Sequence, residues 1–226
     1  MSGGGGGSYG VVVSMTEIAH GDPKIAGGSL NFTTTDTDAY WAAIEYYHSY
    51  LGTIVDAGVF IIGGVGNKKF TGYIHGPQMR ADDVNTLFQP IFDKLKDLGI
   101  DYKYILLDFD NYGDEYVGTR DVFHFGVGGG QAGGYLIQRS FVETDNAVLT
   151  DVVREIAEGG LEFKGFGVNV AKRDWQQNNA VLPAWRETLI HAQITLGWNV
   201  NSTHEQMNRQ AGEYKAAPTC SENFYS

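Results

Sequence analysis

The chain has 226 residues, 42% of them hydrophobic and 13% aromatic, enough to bury a core in one domain or in one domain plus a piece of another. Its 16 Lys and Arg against 27 Asp and Glu give a formal charge of −11, which repels phosphate backbones and anionic lipid, so neither nucleic acid nor membrane is expected as a partner. The one cysteine, Cys220, admits no intrachain disulfide and no thiolate cluster, and no metal site is expected.

Residues 9–20, YGVVVSMTEIAH, begin as a β-branched run and turn to alternation, the pattern of a strand leaving a buried setting. A second strand is expected over 25–35, after which Thr35 or Asp36 can cap a helix over 38–51, where Tyr40, Ile44, Tyr47 and Leu51 recur at helical spacing. Residues 59–65 and 70–75 read as a strand pair joined by Gly66, Asn67 and Lys68, and 81–98 as an amphipathic helix ended by Gly99. A strand over 102–109 follows. From 110 to 134 the chain is glycine-rich with little periodicity, which predicts a long functional or mobile loop. Residues 135–142 lead into a helix over 146–158, and strands follow over 161–171 and 185–198. Paired strands separated by single helices predict an α+β fold, an antiparallel sheet covered on one face by helices.

Three stretches carry candidate chemistry. LEFKGFGVNVA puts Leu161, Phe163, Gly165, Gly167 and Asn169 on one side of a strand, so the two glycines either clear room for a ligand or mark a bulge or close sheet packing. On the last strand His191 and Gln193 share a face opposite Thr188, Ile190, Ala192 and Ile194, the expected core side. Tyr73 and His75 pair similarly on another strand. No HExxH, Walker loop, GxSxG or cysteine-nucleophile motif occurs.

By composition alone, residues 3–8 read as a flexible spacer. The glycines, however, run straight into a strand-like segment, and GGGGGSYGVVVSMT resembles the Gly-rich stretch that ends the flavin domain of FAD-linked oxidoreductases of the vanillyl-alcohol oxidase and berberine-bridge-enzyme type. YLIQRSFVE, from Tyr135, is similar to the segment before a substrate-domain helix in fungal members, and NAVLPAWRE, from Asn179, to their proline-aromatic-arginine turn before a long strand.

The resemblance implies the last strand of an FAD-binding, PCMH-type domain within 1–20, a substrate-binding α+β domain over 21–210 and a truncated tail over 211–226, where Ala216 stands in place of the usual Asn. It implies FAD, with Gly4, Gly5, Gly6, Tyr9, Gly10, Val11 and Val12 passing along the cofactor, since absent side chains leave main-chain N–H groups free to meet flavin or pyrophosphate oxygens. Most FAD contacts of the family lie in an N-terminal half, so the isolated chain is not expected to retain FAD, and a separate flavin-binding half is an expected partner. The catalytic candidates are Tyr73, His191 and Asn169; the last falls near the general base of berberine-bridge-type enzymes, but an amide can only orient a substrate.

The implied activity of the intact form is oxidation of an alcohol or secondary-metabolite small molecule, hydride passing to FAD and then to oxygen. The alternative is a non-catalytic remnant or small-molecule-binding module that cannot hold FAD alone. As written the chain carries no signal peptide and reads as cytoplasmic; the sequons at Asn31 and Asn201 matter if a signal-bearing half precedes it.

Overall fold

Asp36 decides where the first helix begins. Its backbone is extended, and its Oδ1 accepts from the Ala39 N–H at 3.0 Å, satisfying one of the orphan donors of α1 (Thr37–Asp56). Asp36→Ala is expected to cost about 1 kcal/mol in a denaturant titration; an unchanged midpoint would assign the start of α1 to tertiary packing. The residues predicted at helical spacing, Tyr40, Ile44, Tyr47 and Leu51, are all buried.

The computed structural model describes residues 10, 11, 13–19, 21–119, 130–170, 181–198 and 201–216. Before α1 runs β1 (Ile25–Thr33), and after it the hairpin β2 (Phe60–Gly66) and β3 (Lys69–Pro77). The helix α2 (Ala81–Asp97) stops where Gly99 enters the left-handed region at φ 68°, letting the Ile100 N–H reach back to the Leu95 carbonyl at 2.9 Å. Next come β4 (Tyr102–Phe109), α3 (Tyr112–Thr119), β5 (Gly130–Gln138), α4 (Arg139–Thr144) and α5 (Asn146–Glu158). The order closes with β6 (Glu162–Gly167), a 3-10 turn over Pro183–Glu187, β7 (Thr188–Gly197) and α6 (His204–Ala216), which crosses the boundary expected at 211. No helix among the described residues is long and apolar enough to cross a membrane.

The seven strands form one antiparallel sheet in the order β4-β1-β3-β2-β6-β7-β5, an α+β architecture as predicted. One face carries the core. Leu30, Phe32, Phe70, Ile74, Ile61, Val65, Phe163 and Ile190 point into it, against Tyr47 and Leu51 of α1, Phe88 of α2 and Val153 of α5. Those two layers supply the apolar area that stabilises the chain.

Three expectations are corrected. The strand predicted over 9–20 does not form in its described part; 13–19 has no regular structure, and Val11, Val13, Met15 and Ile18 are 76–93% exposed. A strand exists through its ladder, and no described strand lies beside this segment. The long loop predicted over 110–134 instead holds α3 and the start of β5. α3 escaped notice because its buried side chain is the carboxylate of Glu115 while Tyr116 and Val117 are exposed, the reverse of an amphipathic signal. β5 was hidden by Gly130, Gly133 and Gly134, poor strand formers held extended by pairing with β7. Finally, Leu189, which strict alternation places on the face of His191 and Gln193, is buried with Thr188, Ile190 and Ala192: pairing passes from Ile137–Ile190 to Gln138–Thr188, leaving Leu189 as the unpaired residue of a bulge.

Candidate functional site: the open face of the sheet

Strand alternation sends every second side chain to the face opposite the core. Six described strand neighbours in register there, Ser29, Tyr73, Ile62, Phe166, His191 and Leu136, form a continuous row from β1 through β3, β2, β6 and β7 to β5. The sheet thus brings Tyr73 and His191 onto one wall, three strand spacings or about 14 Å apart.

At one end of this wall His191 lies between two rings, stacked on Phe166 at 5.4 Å and edge-on to Trp185 at 5.1 Å. Trp185 arrives from the 3-10 turn that Pro183 opens, where a missing N–H and a fixed φ suit the first position. His191 and Trp185, with Tyr135, Ser140, Phe141 and Asp145, line a cavity of about 800 Å³. That size suits a small organic ligand.

In the middle of the wall Tyr73 stands near Glu162, whose Oε2 is 3.1 Å from the Lys164 Nζ. Burial, and then the Glu162 charge, push the Tyr73 phenol above its ordinary range, so it is a hydrogen-bond donor at neutral pH. Sequence reasoning missed Glu162 and Lys164, which alternate with the core residues Phe163 and Gly165. Only the strand register shows that they share the wall with Tyr73. It also missed the partner of His75: Nδ1 is 2.8 Å from Oε1 of Glu115, a side chain only 1% exposed.

Asn169 is not brought to this wall. Its Nδ2 donates to Oδ1 of Asp56 at 2.6 Å, and the same carboxylate pairs with Arg139 at 2.8 Å, so Asn169 ties the chain just after β6 to the end of α1 and the start of α4. The glycines beside it are explained by close packing. A Cβ at Gly167 would lie 2.9 Å from Leu51 and 3.0 Å from Val55, so of the two readings of this glycine it is close packing that the structure shows, with Gly167 seating α1 on the sheet.

Of the residues expected along FAD, Gly4, Gly5, Gly6, Tyr9 and Val12 lie outside the described residues. Gly10 and Val11 are exposed, and no atom lies within 4 Å of where a Gly10 Cβ would stand. The two described members of that set, Gly10 and Val11, therefore form no cradle for a dinucleotide by themselves.

No protein-family model matches the chain. It is 31% identical to the FAD-linked oxidoreductase ZEB1 of Gibberella zeae over 92% of its own length and 37% of that protein. With the FAD-linked oxidoreductase patO of Aspergillus clavatus the identity is 31%, over 93% of the chain and 38% of the relative. Among solved structures, a VAO-type flavoprotein of Myceliophthora thermophila superposes with a TM-score of 0.72 at 25% identity, covering 91% of this chain and 38% of that one. The chain thus spans less than two-fifths of the length of these relatives. By sequence and by fold, the chain is similar to a part of fungal FAD-linked oxidoreductases and of a VAO-type flavoprotein.

Proposed function

We propose that the chain is the substrate-facing layer of a flavin-dependent oxidase that converts an alcohol or secondary-metabolite substrate, with FAD as hydride acceptor and oxygen as reoxidant. The observation that carries this reading is the row that sets Tyr73 and His191 on one open wall beside a cavity of about 800 Å³. His191 takes the proton of the reacting hydroxyl at the cavity, the aromatic rings around it exclude water from that end, and the neutral Tyr73 phenol, farther along the row, donates a hydrogen bond to a polar group elsewhere on the substrate. Asn169, through Asp56, positions the ends of α1 and β6 without touching substrate. FAD belongs to a flavin-binding half, and the exposed Val11, Val13, Met15 and Ile18 form the edge that this half covers.

The test is expression of the chain alone and together with a flavin-binding portion, from its own gene or from the Gibberella zeae relative. The chain alone is expected to be colourless after desalting, the pair to carry one equivalent of flavin. His191→Ala in the pair should retain the colour and lose roughly a hundredfold in turnover, and Tyr73→Phe about tenfold. Full turnover in both variants would remove the wall from the reaction. A pair that never binds flavin would favour the second reading, a small-molecule-binding module.

A further inference from the structure

α4 forms one wall of the large cavity, yet little in its own sequence holds it there. It has six residues, the extended Gln138 before it offers no side-chain cap, and a helix of that length is not stable by itself. Its residues divide by face: Ser140, Phe141, Thr144 and the following Asp145 line the cavity, and Val142 is buried in the core. Arg139 and Glu143 do neither, and pair with each other at 3.6 Å.

Arg139 reaches past Glu143 to the end of α1. Its Nη2 donates to Asp56 Oδ1 at 2.8 Å and its Nη1 to Oδ2 at 3.4 Å, a two-pronged contact across 83 positions of sequence. Each charge sits at the unfavourable end of its own helix. Asp56 is the last residue of α1, where the free carbonyls carry partial negative charge, and Arg139 is the first of α4, where the free N–H groups carry partial positive charge. The last turn of α1 holds no basic residue, so Arg139 supplies from another helix the cation that this end lacks. Gly52, one turn before Asp56, makes room: a Cβ there would come within 3.0 Å of Nη1, and a glycine inside a helix is otherwise unfavourable. Neither helix gains from these three residues alone; the gain comes only when α4 is docked on α1. Just beyond α4, Asn146 donates from Nδ2 to the Glu45 carbonyl of α1 at 2.7 Å, so α1 holds the chain on both sides of the short helix.

We propose that Arg139 is a positioning residue of the large cavity: its contact with Asp56 pins α4 to α1 and so fixes where Phe141, Thr144 and Asp145 stand relative to His191, and with that how well the cavity fits its substrate. This rests on the reading that the cavity receives the substrate, and it adds a residue outside the cavity on which the fit depends.

The experiment is native-state hydrogen exchange of the full chain followed by NMR, comparing the parent with Arg139→Met, which keeps the stem and removes the contact. The Asp145 amide, bonded to the Phe141 carbonyl at 2.8 Å, is expected to exchange about fivefold faster, and the distant Ile100 amide, bonded to the Leu95 carbonyl, at the parent rate. A role confined to the stability of α4 itself predicts the opposite sign, because the substitution removes a cation from its N-terminus. Arg139→Lys, which keeps the charge but not the fork, should fall between, and Asp56→Ala should loosen Asp145 from the other side. In the flavin-loaded pair, Arg139→Met should raise KM about fivefold with kcat within about twofold, since His191 stands on β7, and Arg139→Lys should recover part of the loss. Parent or slower exchange at Asp145 in these variants would overturn the pin, and a fall in kcat at unchanged KM, or no change in either, would overturn the positioning role. A pair without flavin or turnover strikes the oxidase reading instead, and the exchange rates, which need neither, then decide by themselves whether the wall is pinned.

Discussion

Replacing Gly167 with valine is expected to destabilise the chain by roughly 3 kcal/mol, near the upper end of what overpacking a core costs. The Cβ alone would stand 2.9 Å from Leu51 Cδ1, 3.0 Å from Val55 Cγ1 and 3.1 Å from Ile61 Cγ2. Leu51 and Val55 lie on successive turns of α1, so both cannot yield without lifting the helix from β6. In a chain of this length the melting temperature should fall by about 6–12 °C. Gly66→Ala is the control, because its Cβ would meet only the Lys69 carbonyl, at 3.7 Å. Equal melting of the Gly167→Val protein and its parent would mean that α1 does not sit on β6 as described.

Acid should destabilise the chain through His48. This side chain is 1% exposed in the middle of α1, edge-on to Phe163 at 6.2 Å, and its Nδ1 has no hydrogen-bond partner among the described residues. Burial pushes its pKa down from 6.5 to about 4. The sign follows from proton counting: between these values the unfolded chain binds a proton that the folded chain refuses, so stability is full above pH 6.5 and falls as the pH drops towards 4. Over that window the loss is roughly 3 kcal/mol. His48→Leu keeps the volume and removes the titration, so parent and variant should diverge steadily from pH 6.5 to 4 in denaturant midpoints. Parallel pH profiles would show that His48 is hydrated or protonated in the native state.

Both residues lie on elements that the sequence already placed. The spacing of Tyr40, Ile44, Tyr47 and Leu51, the stop at Gly99 and the turn at Gly66, Asn67 and Lys68 are local properties, set by backbone periodicity and by residues that tolerate only certain conformations. They gave α1, α2 and the β2–β3 hairpin, and with the alternation of the later strands they gave the α+β class. The Gly-rich start and the two internal segments carried the resemblance to FAD-linked oxidoreductases.

Tertiary structure alone decided the rest. β5 is a strand because β7 pairs with it, against the preference of its glycines, and α3 is a helix whose buried face is a carboxylate received by His75 and Gly27. The segment 13–19 has the composition of a strand but no ladder among the described residues. The site follows the same division: Tyr73 and His191 were singled out by residue type, but a sequence cannot state that two residues 118 positions apart share a wall while Asn169, 22 positions from His191, turns to Asp56. Which strand lies beside which, and in what register, is fixed by long-range hydrogen bonding and burial that no local window contains.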